Sequence, residues 1–134
     1  MAALLTTKLR QFEELFERDG LIVQTTIGKA SVKMSKYLVD ILLNNLFSNA
    51  VRHNIPNGEI GVLLTDQYLY ISNTGKDLHL QAKLFSRFSK SVESEGMGLG
   101  LAITKQICKL YGLALVHNNE MGRHYFTIYF NAKD

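Results

Sequence analysis

Apolar residues follow a helical spacing in some parts of the chain and a strand spacing in others, and this alternation predicts its elements. The apolar stripe of the first helix is formed by Leu5, Leu9, Phe12 and Phe16. Gly20 follows this stripe as a stop signal. The β-branched residues 21–27, LIVQTTI, predict a strand. A turn at Gly28 and a second short strand through Val32 and Met34 are expected to follow.

A long helix is expected next, from Lys36 to about His53, with Ser35 in position to cap it. An Asn-, Pro- and Gly-containing stretch then ends the helix. Residues 59–66, EIGVLLTD, and 68–73, YLYISN, predict two strands that are joined by a tight connection at Asp66-Gln67.

The segment from residue 74 to residue 100 is rich in Gly, Ser and Lys and is expected to be mostly loop, with one short helix around 80–88. A loop of this length inside a compact domain is more typical of a functional lid than of a simple connection. A helix over 99–111 and two strands over 113–119 and 124–130 complete the chain. The last two strands are expected to turn at Met121-Gly122.

These elements predict one α+β domain over residues 1–134. Consecutive strands with short links favour a mixed, mainly antiparallel sheet of about five strands. Three helices would cover one face of that sheet, which gives a two-layer α/β sandwich. A length of 134 residues is ordinary for one domain with a sizeable core.

Composition excludes several classes of function. The net charge of +3 is mild and forms no basic run, so nucleic acid is not an expected partner. The single cysteine, Cys108, lies at helical spacing from Ile107 and Ile103 and is expected to be a buried apolar residue. No apolar stretch reaches a membrane-spanning length, and no signal peptide begins the chain. We expect a cytoplasmic domain without direct membrane contact, which belongs to a longer protein.

Polar side chains continue one face of the long helix beyond its apolar part. Leu38, Ile41 and Leu42 are expected to face the core, and the same face carries Asn45, Asn49, Arg52 and His53 further on. Buried amides require partners, and an amide oxygen is a suitable ligand for Mg²⁺, while an arginine can neutralise phosphate. An exposed helix end, or asparagines that cap loops, would explain the same pattern, and both interpretations remain open.

Glycines precede the helix over 99–111. Gly96, Gly98 and Gly100 lack the spacing of a dinucleotide fingerprint, and the Gly-Lys-Ser/Thr of a P-loop is absent. Glycines at a helix start can still expose amide N–H groups to an anion, although by themselves they favour a tight turn. Asn73 and Gly75 end a strand, where a side chain could contact a base edge; a simple turn would explain them equally well.

Taken in order, these features resemble the Bergerat-type ATP-binding domain of bacterial sensor histidine kinases, within the superfamily that includes gyrase and the mismatch-repair ATPases. Residues 45–54, NLFSNAVRHN, resemble the N box of that family, and 84–88, LFSRF, resemble its F box. Residues 71–77, ISNTGKD, and 96–103, GMGLGLAI, are similar to its two glycine boxes. The resemblance covers nearly the whole chain and implies an ATP lid over about 76–97.

The resemblance implies an ATP and Mg²⁺ site with roles for individual residues. Asn49 matches the Mg²⁺-binding asparagine, Asn45 the polar residue one turn earlier, and Arg52 a phosphate contact, and these three would be catalytic. His53 stands where an aromatic ring flanks adenine, and Asn73 stands where an aspartate accepts from the adenine amino group. The other implied nucleotide contacts are Gly75, Phe88, Lys90, Gly96, Gly98, Leu99 and Gly100.

Two positions depart from the family pattern. Asn73 is neutral, and Asp77 replaces a glycine of the first box. An asparagine can accept the adenine hydrogen bond only if its amide is oriented for it, and the lost charge would weaken binding by about 1–2 kcal/mol. Asp77 would stiffen its loop.

The implied function is donation of the γ-phosphate of ATP to a histidine on a separate helical-hairpin domain of the same kinase. The signal then passes to a response regulator. No acceptor motif is present in the chain, and we expect His79, His117 and His124 to be structural or surface residues. The parent kinase would be anchored in the inner membrane. The alternatives are a degenerate nucleotide-sensing or interaction module and a serine kinase of the anti-sigma type.

Overall fold

The computed structural model describes residues 1–75 and 97–130, which form three helices and five strands. In chain order, they are α1 Ala2–Arg18, β1 Ile22–Ile27, α2 Lys36–Arg52, β2 Glu59–Leu64, β3 Tyr68–Thr74, α3 Met97–Leu110, β4 Ala114–Glu120 and β5 Arg123–Tyr129. The short helix expected around 80–88 lies outside the described residues, as does the lid expected over about 76–97, except for Met97, which begins α3.

The five strands form one mixed sheet in the order β1-β2-β3-β5-β4. Strand β1 pairs in parallel with β2, and the other neighbouring strands are antiparallel. Two tight hairpins, β2–β3 and β4–β5, build the antiparallel part. The β4–β5 turn has positive φ angles at Met121 and Gly122, which match the right-handed twist of the two strands that it joins. The predicted fold class is therefore confirmed.

Helices cover one face of the sheet, and the hydrophobic core lies between the two layers. Alternate residues of β2, Ile60, Val62 and Leu64, are each 3% exposed or less and face the helices. Phe12 and Phe16 of α1 pack against Phe47 of α2, with ring centroids 5.8 and 6.4 Å from it. The amphipathic stripe predicted for the first helix thus forms one wall of the core.

Cys108 is buried in this core together with Ile107, as expected, whereas Ile103 is 38% exposed. Burial raises the pKa of its thiol to about 11, because the surrounding apolar groups solvate a thiolate poorly. The cysteine is therefore protonated at neutral pH and serves as a small packing residue.

The opposite face of the sheet is open. It carries two cross-strand tyrosine pairs, Tyr68–Tyr129 and Tyr70–Tyr125, with ring centroids 6.0 and 5.9 Å apart. A cavity of about 310 Å³ lies on this face beside Gln24 and Thr26.

Three sequence predictions about this part of the chain were wrong. Residues 28–35 contain no strand, because β2, with which β1 pairs, ends at Leu64, to whose carbonyl the backbone N–H of Gly28 donates. Met34 instead packs against the core from an irregular segment. Ile41 is 40% exposed and does not belong to the core face of α2, whereas Leu42 does, at 1%. Ser35 precedes α2 as expected, but its side chain makes no capping hydrogen bond.

One ion pair joins the first two helices. The side chain of Lys8 is 6% exposed on the inner side of α1, and its Nζ lies 2.7 Å from Oδ1 of Asp40, whose side chain is 61% exposed. A nearly buried ammonium group depends on its partner, because it is removed from water.

We expect Asp40→Ala to lower the free energy of unfolding by about 1–3 kcal/mol, because it leaves the Lys8 ammonium buried without a carboxylate. Lys8→Met removes the charge and keeps the chain length, so it should be nearly neutral. Urea denaturation measures both effects. Glu14→Ala, on the exposed side of α1, is the matched control, and an equal loss in Asp40→Ala and Glu14→Ala would contradict the assignment.

Candidate functional site

The polar row of α2 lies beside its buried stripe and does not continue it. The stripe that packs on the sheet consists of Val39, Leu42, Leu43, Leu46, Phe47, Ala50 and Val51. Asn45 and Asn49 are half-buried on the flank of this stripe, and Arg52 is exposed at the end of the helix. The two asparagines therefore line the edge of the core, where a ligand could reach them.

Asn45 connects α2 to the beginning of α3. Its Nδ2 donates to the carbonyl oxygen of Gly100 over 3.3 Å, and the Oγ1 of Thr104 donates to the same oxygen over 2.9 Å. Thr104 is fully buried. This contact holds the first turn of α3 against the polar row of α2.

Asn49 presents a buried amide oxygen to the same region. Its Oδ1 is buried and has no hydrogen-bond partner among the described residues. A buried acceptor without a partner costs free energy, and native proteins usually reserve such groups for water, an ion or a ligand. An amide oxygen is also the type of ligand that a hard cation such as Mg²⁺ prefers. The Asn49 oxygen thus fits the predicted metal site.

Asn73 has a second acceptor of this kind at the end of β3. The residue is 1% exposed, and its Nδ2 donates to the backbone carbonyl of Thr74 over 2.7 Å. Since the amide NH₂ must face that carbonyl, Oδ1 points the other way, and it has no partner among the described residues. The amide is therefore held in an orientation that can accept a hydrogen bond from a ligand, which is the condition that the sequence left open.

Hydrogen bonds fix the end of α2 to the end of β3. Asn54, which is 8% exposed, donates from Nδ2 to the carbonyl of Glu59 over 3.0 Å and accepts from the hydroxyl of Thr74. The backbone N–H of Glu59 donates to the Thr74 oxygen over 2.8 Å. This network sets the position of Asn73 relative to α2, and no pattern in the sequence predicted it.

Gly75 follows β3 at a point where no side chain fits. A Cβ on this residue would lie 2.6 Å from Cδ2 of His124 and 2.8 Å from its Nε2. The backbone N–H of Gly75 donates to the carbonyl of Gly122 over 2.8 Å, and the carbonyl of His53 lies nearby. The glycine is therefore required by the close approach of the His124 ring.

Helix α3 begins two residues earlier than expected, so that Gly98 and Gly100 lie in its first turn. Amide groups in a first helical turn have no acceptor within the helix and carry the positive end of its dipole. The first turn contains no acidic residue that would compete for them. A Cβ on Gly100 would meet only the Asn45 side chain, at 3.7 Å, so packing does not require this glycine.

The structure thus places the predicted residues on three elements. Asn45 meets Gly100 directly, and the backbone of His53 lies beside Gly75. Phe88, Lys90 and Gly96 lie outside the described residues, and of Leu99 only the backbone, in the first turn of α3, is described.

The sequence missed a histidine pair beside this site. His124 on β5 is directly opposite Asn73 in the sheet register and is 5% exposed. Its Nδ1 lies 3.2 Å from Nε2 of His117 on β4. Both residues were expected to be ordinary structural or surface histidines. Only the register of the β4–β5 hairpin brings the two rings together.

The described parts of the chain, residues 1–75 and 97–130, contain no cluster of three or more His, Cys, Asp or Glu side chains that could hold a metal. A cation here would need oxygen ligands of other kinds, such as the Asn49 amide and the oxygens of a bound phosphate. In the same two stretches, no helix has both the length and the hydropathy of a membrane span.

Comparisons with known proteins show the family of this domain. Residues 36–134 match the family model described as histidine kinase-, DNA gyrase B-, and HSP90-like ATPase. The chain belongs to this family, and the resemblance inferred from its boxes is confirmed.

Two curated sensor proteins resemble the chain. It is 34% identical over 110 residues to the sensor histidine protein kinase HK06 of Streptococcus pneumoniae serotype 2, which covers 77% of this chain. It is 29% identical over 133 residues to the heme sensor protein HssS of Staphylococcus haemolyticus, which covers 93% of it. The chain spans 25% and 29% of the lengths of these two relatives.

Solved structures share the fold. The catalytic domain of histidine kinase ThkA in a nucleotide-free form superposes with a TM-score of 0.74 at 23% identity and covers 97% of this chain and 91% of that one. The cytoplasmic segment of histidine kinase QseC gives 0.73 at 20% identity, over 96% of this chain and 72% of that one.

We expect Asn73→Asp to destabilise the nucleotide-free domain by about 1–3 kcal/mol at pH 7.5. The carboxylate has no N–H for the Thr74 carbonyl, which lies 2.7 Å from Nδ2, and it would be buried. Urea denaturation tests this, with Asn118→Asp on the exposed edge of the sheet as the matched control. If the two variants are equally stable, the Thr74 hydrogen bond does not orient the amide.

Proposed function

We propose that this chain is the ATP-binding catalytic domain of a sensor histidine kinase. It would bind Mg-ATP and donate the γ-phosphoryl group to a histidine on a separate hairpin domain of the same kinase. The observation that carries the proposal is the pair of buried amide oxygens, on Asn49 and Asn73, that have no partner among the described residues. Membership of the ATPase family supports ATP as the nucleotide.

The phosphate end of the site lies between α2 and α3. The Asn49 oxygen would hold Mg²⁺, and the amide groups at Gly98 and Gly100 would contact phosphate oxygens at the positive end of α3. Asn45 would keep these two elements in register through its hydrogen bond to Gly100. The exposed guanidinium of Arg52 would contribute a phosphate contact from the last turn of α2.

The adenine end lies at the end of β3. The oriented Oδ1 of Asn73 would accept a hydrogen bond from the exocyclic amino group of adenine, and the His53 ring would flank the base. Gly75 would allow the chain to turn closely past the nucleotide. Phe88, Lys90, Gly96 and Leu99 remain predictions for the lid and its hinge.

Catalysis would rest on positioning and charge neutralisation. Phosphoryl transfer needs little covalent help from the protein, and bound Mg²⁺ supplies charge neutralisation at the phosphates. Asn45, Asn49 and Arg52 would orient the phosphate chain toward an incoming imidazole, and ADP would leave. No carboxylate at position 45 is available to activate water, which favours transfer to a partner over hydrolysis by the isolated domain.

The longer kinase would supply the remaining parts. The proposed partners are the phosphoacceptor hairpin and, indirectly, a response regulator. We propose that this domain lies in the cytoplasm and that the parent protein is anchored in the inner membrane.

Asn49→Ala is expected to abolish Mg²⁺-dependent binding of ATP and to leave the fold intact, because it removes only the proposed metal ligand. Calorimetric titration with an unhydrolysable ATP analogue, with and without Mg²⁺, measures this effect. The neighbouring Asn44→Ala, on the exposed side of α2, is the matched control. Unchanged affinity in Asn49→Ala would remove the metal assignment.

The same titration separates the competing functions. Absence of heat up to millimolar nucleotide in the wild-type domain would favour a degenerate interaction module, for which the neutral Asn73 is the supporting feature. If nucleotide binds, the chemistry of the transferred phosphoryl group decides the class of kinase. A histidine acceptor gives an acid-labile product, whereas an acid-stable product would indicate a serine kinase.

We expect Gly100→Ala to separate stability from binding. Alanine has a higher helix propensity and would fit against Asn45, so unfolding should cost about 0.5–1 kcal/mol more. The added methyl group would keep a phosphate from the first turn of α3 and weaken binding of the Mg-bound analogue about tenfold. Thermal unfolding and calorimetry measure the two effects. A stabilised variant with wild-type affinity would show that Gly100 is not part of the phosphate site.

A further inference from the structure

The histidine pair occupies the helix-covered face of the sheet next to the strand end that carries Asn73. In the register, Asn73 of β3 is opposite His124 of β5, and His117 of β4 is opposite Phe126 of β5. Alternation along the strands therefore places both imidazoles on the same face as the Asn73 amide. His124 is 5% exposed there.

The two imidazoles contact each other through one nitrogen of each ring. Nε2 of His117 and Nδ1 of His124 are 3.2 Å apart, and the ring planes are nearly parallel, at 17°, with centroids 5.5 Å apart. One nitrogen donates its N–H and the other accepts through its lone pair. The His117 ring also stacks on Phe126, with centroids 4.4 Å apart and an interplanar angle of 3°. His117 is thus held by a flat surface on one side and by a directed hydrogen bond at its edge.

The other edge of His124 supports the turn after β3. Its Cδ2 and Nε2 fill the space where a side chain on Gly75 would begin. The Gly75 backbone is also bound to the β4–β5 turn through the carbonyl of Gly122, at 2.8 Å. A shift of the His124 ring would therefore open space beneath the turn that directly follows Asn73.

We propose that His124 is a positioning residue for the adenine end of the site, and that His117 holds it in place. The ring of His124 supports the Asn73–Gly75 turn from the sheet side, and the imidazole–imidazole hydrogen bond fixes that ring. The role at adenine rests on the proposed nucleotide-binding function. The proposed support of the Asn73–Gly75 turn does not depend on that function.

Protonation should weaken this arrangement in two steps. One added proton leaves an imidazolium that still donates to the neutral partner, whereas a second proton places two N–H groups and two positive charges against each other. Burial lowers the pKa of both histidines, and the charges of His124 and Lys105 lower the pKa of His117 further. Because both pKa values lie below the ordinary 6.5, the pair is neutral at pH 7 and above, and its contribution is lost as the pH falls through these lowered pKa values.

The charged groups around the pair are few in the described structure. Lys105 approaches from α3, and His53 lies at the end of α2 behind Gly75. Asn73 on β3 and Gly75, which follows that strand, do not titrate. Glu120 and Arg123 belong to the same two strands, but alternation places them on the open face of the sheet.

Nuclear magnetic resonance of the nucleotide-free chain tests the support of the turn directly. We expect the ring nitrogens of His117 and His124 to titrate as a coupled pair, and the Gly75 amide to shift with the same midpoint. In His117→Leu, the Gly75 amide should exchange with solvent about tenfold faster. Independent titration with ordinary pKa values, or a Gly75 amide that is unchanged in His117→Leu, would overturn the proposal.

Calorimetry tests the role at adenine. At pH 7.5, His117→Leu should raise the Kd of the Mg-bound unhydrolysable ATP analogue about fivefold. His117→Gln, which can hydrogen-bond to Nδ1 but does not titrate, should bind as the wild type does and retain more affinity at pH 5.5. Asn118→Leu, on the open face of the same strand, should have no effect.

An unchanged Kd in His117→Leu, with wild-type binding measurable, would overturn the role at adenine. Absence of nucleotide binding by the wild-type chain would contradict the proposed function instead. In that case the resonance measurements would still decide whether the pair supports the turn.

Discussion

The packing of α2 across the sheet is the constraint on which the rest of the structure depends. Its buried stripe, seven apolar residues from Val39 to Val51, leaves the helix one orientation in which it covers the core. Because side chains three and four residues apart share a row, that orientation places Asn45 and Asn49 together on the flank of the stripe. Asn45 can then bind the Gly100 carbonyl, which holds α3 in place. The polar groups of the candidate site are therefore positioned by the same contacts that bury the core.

The candidate site also lowers the stability of the ligand-free fold. Two buried amide oxygens, on Asn49 and Asn73, have no partner among the described residues, and each would be more stable in water. A ligand that supplied a cation at one and an N–H donor at the other would recover this free energy on binding. At Asn73, the neutral amide has a feature that a carboxylate lacks, since its NH₂ is fixed by the Thr74 carbonyl. The Asn73 side chain therefore lacks the charge of a carboxylate but has a defined orientation.

Different layers of the fold support the two ends of the candidate site. The proposed phosphate end depends on helix packing, through α2 and α3. The end at Asn73 depends on strand register, through the Asn54–Thr74 network on one side and His124 on the other. Disturbance of the β4–β5 hairpin should therefore affect the proposed base contact more than the proposed phosphate contacts.

Local pattern in the sequence determined the three helices, the five strands and the α/β layers, and it pointed to the amide and glycine residues of the candidate site, because periodicity and turn chemistry act between near neighbours. The same reasoning failed where a contact with a residue distant in sequence determines the local structure. The segment through Val32 and Met34 has strand-like residues but no strand to pair with, and Ile41 has a core-like position on a row that borders the core. The orientation of the Asn73 amide depends on a backbone carbonyl, and the meeting of His117 with His124 depends on the hairpin register. Only the tertiary structure decided these features, since the contacts that fix them exist only after the sheet and its helices have packed.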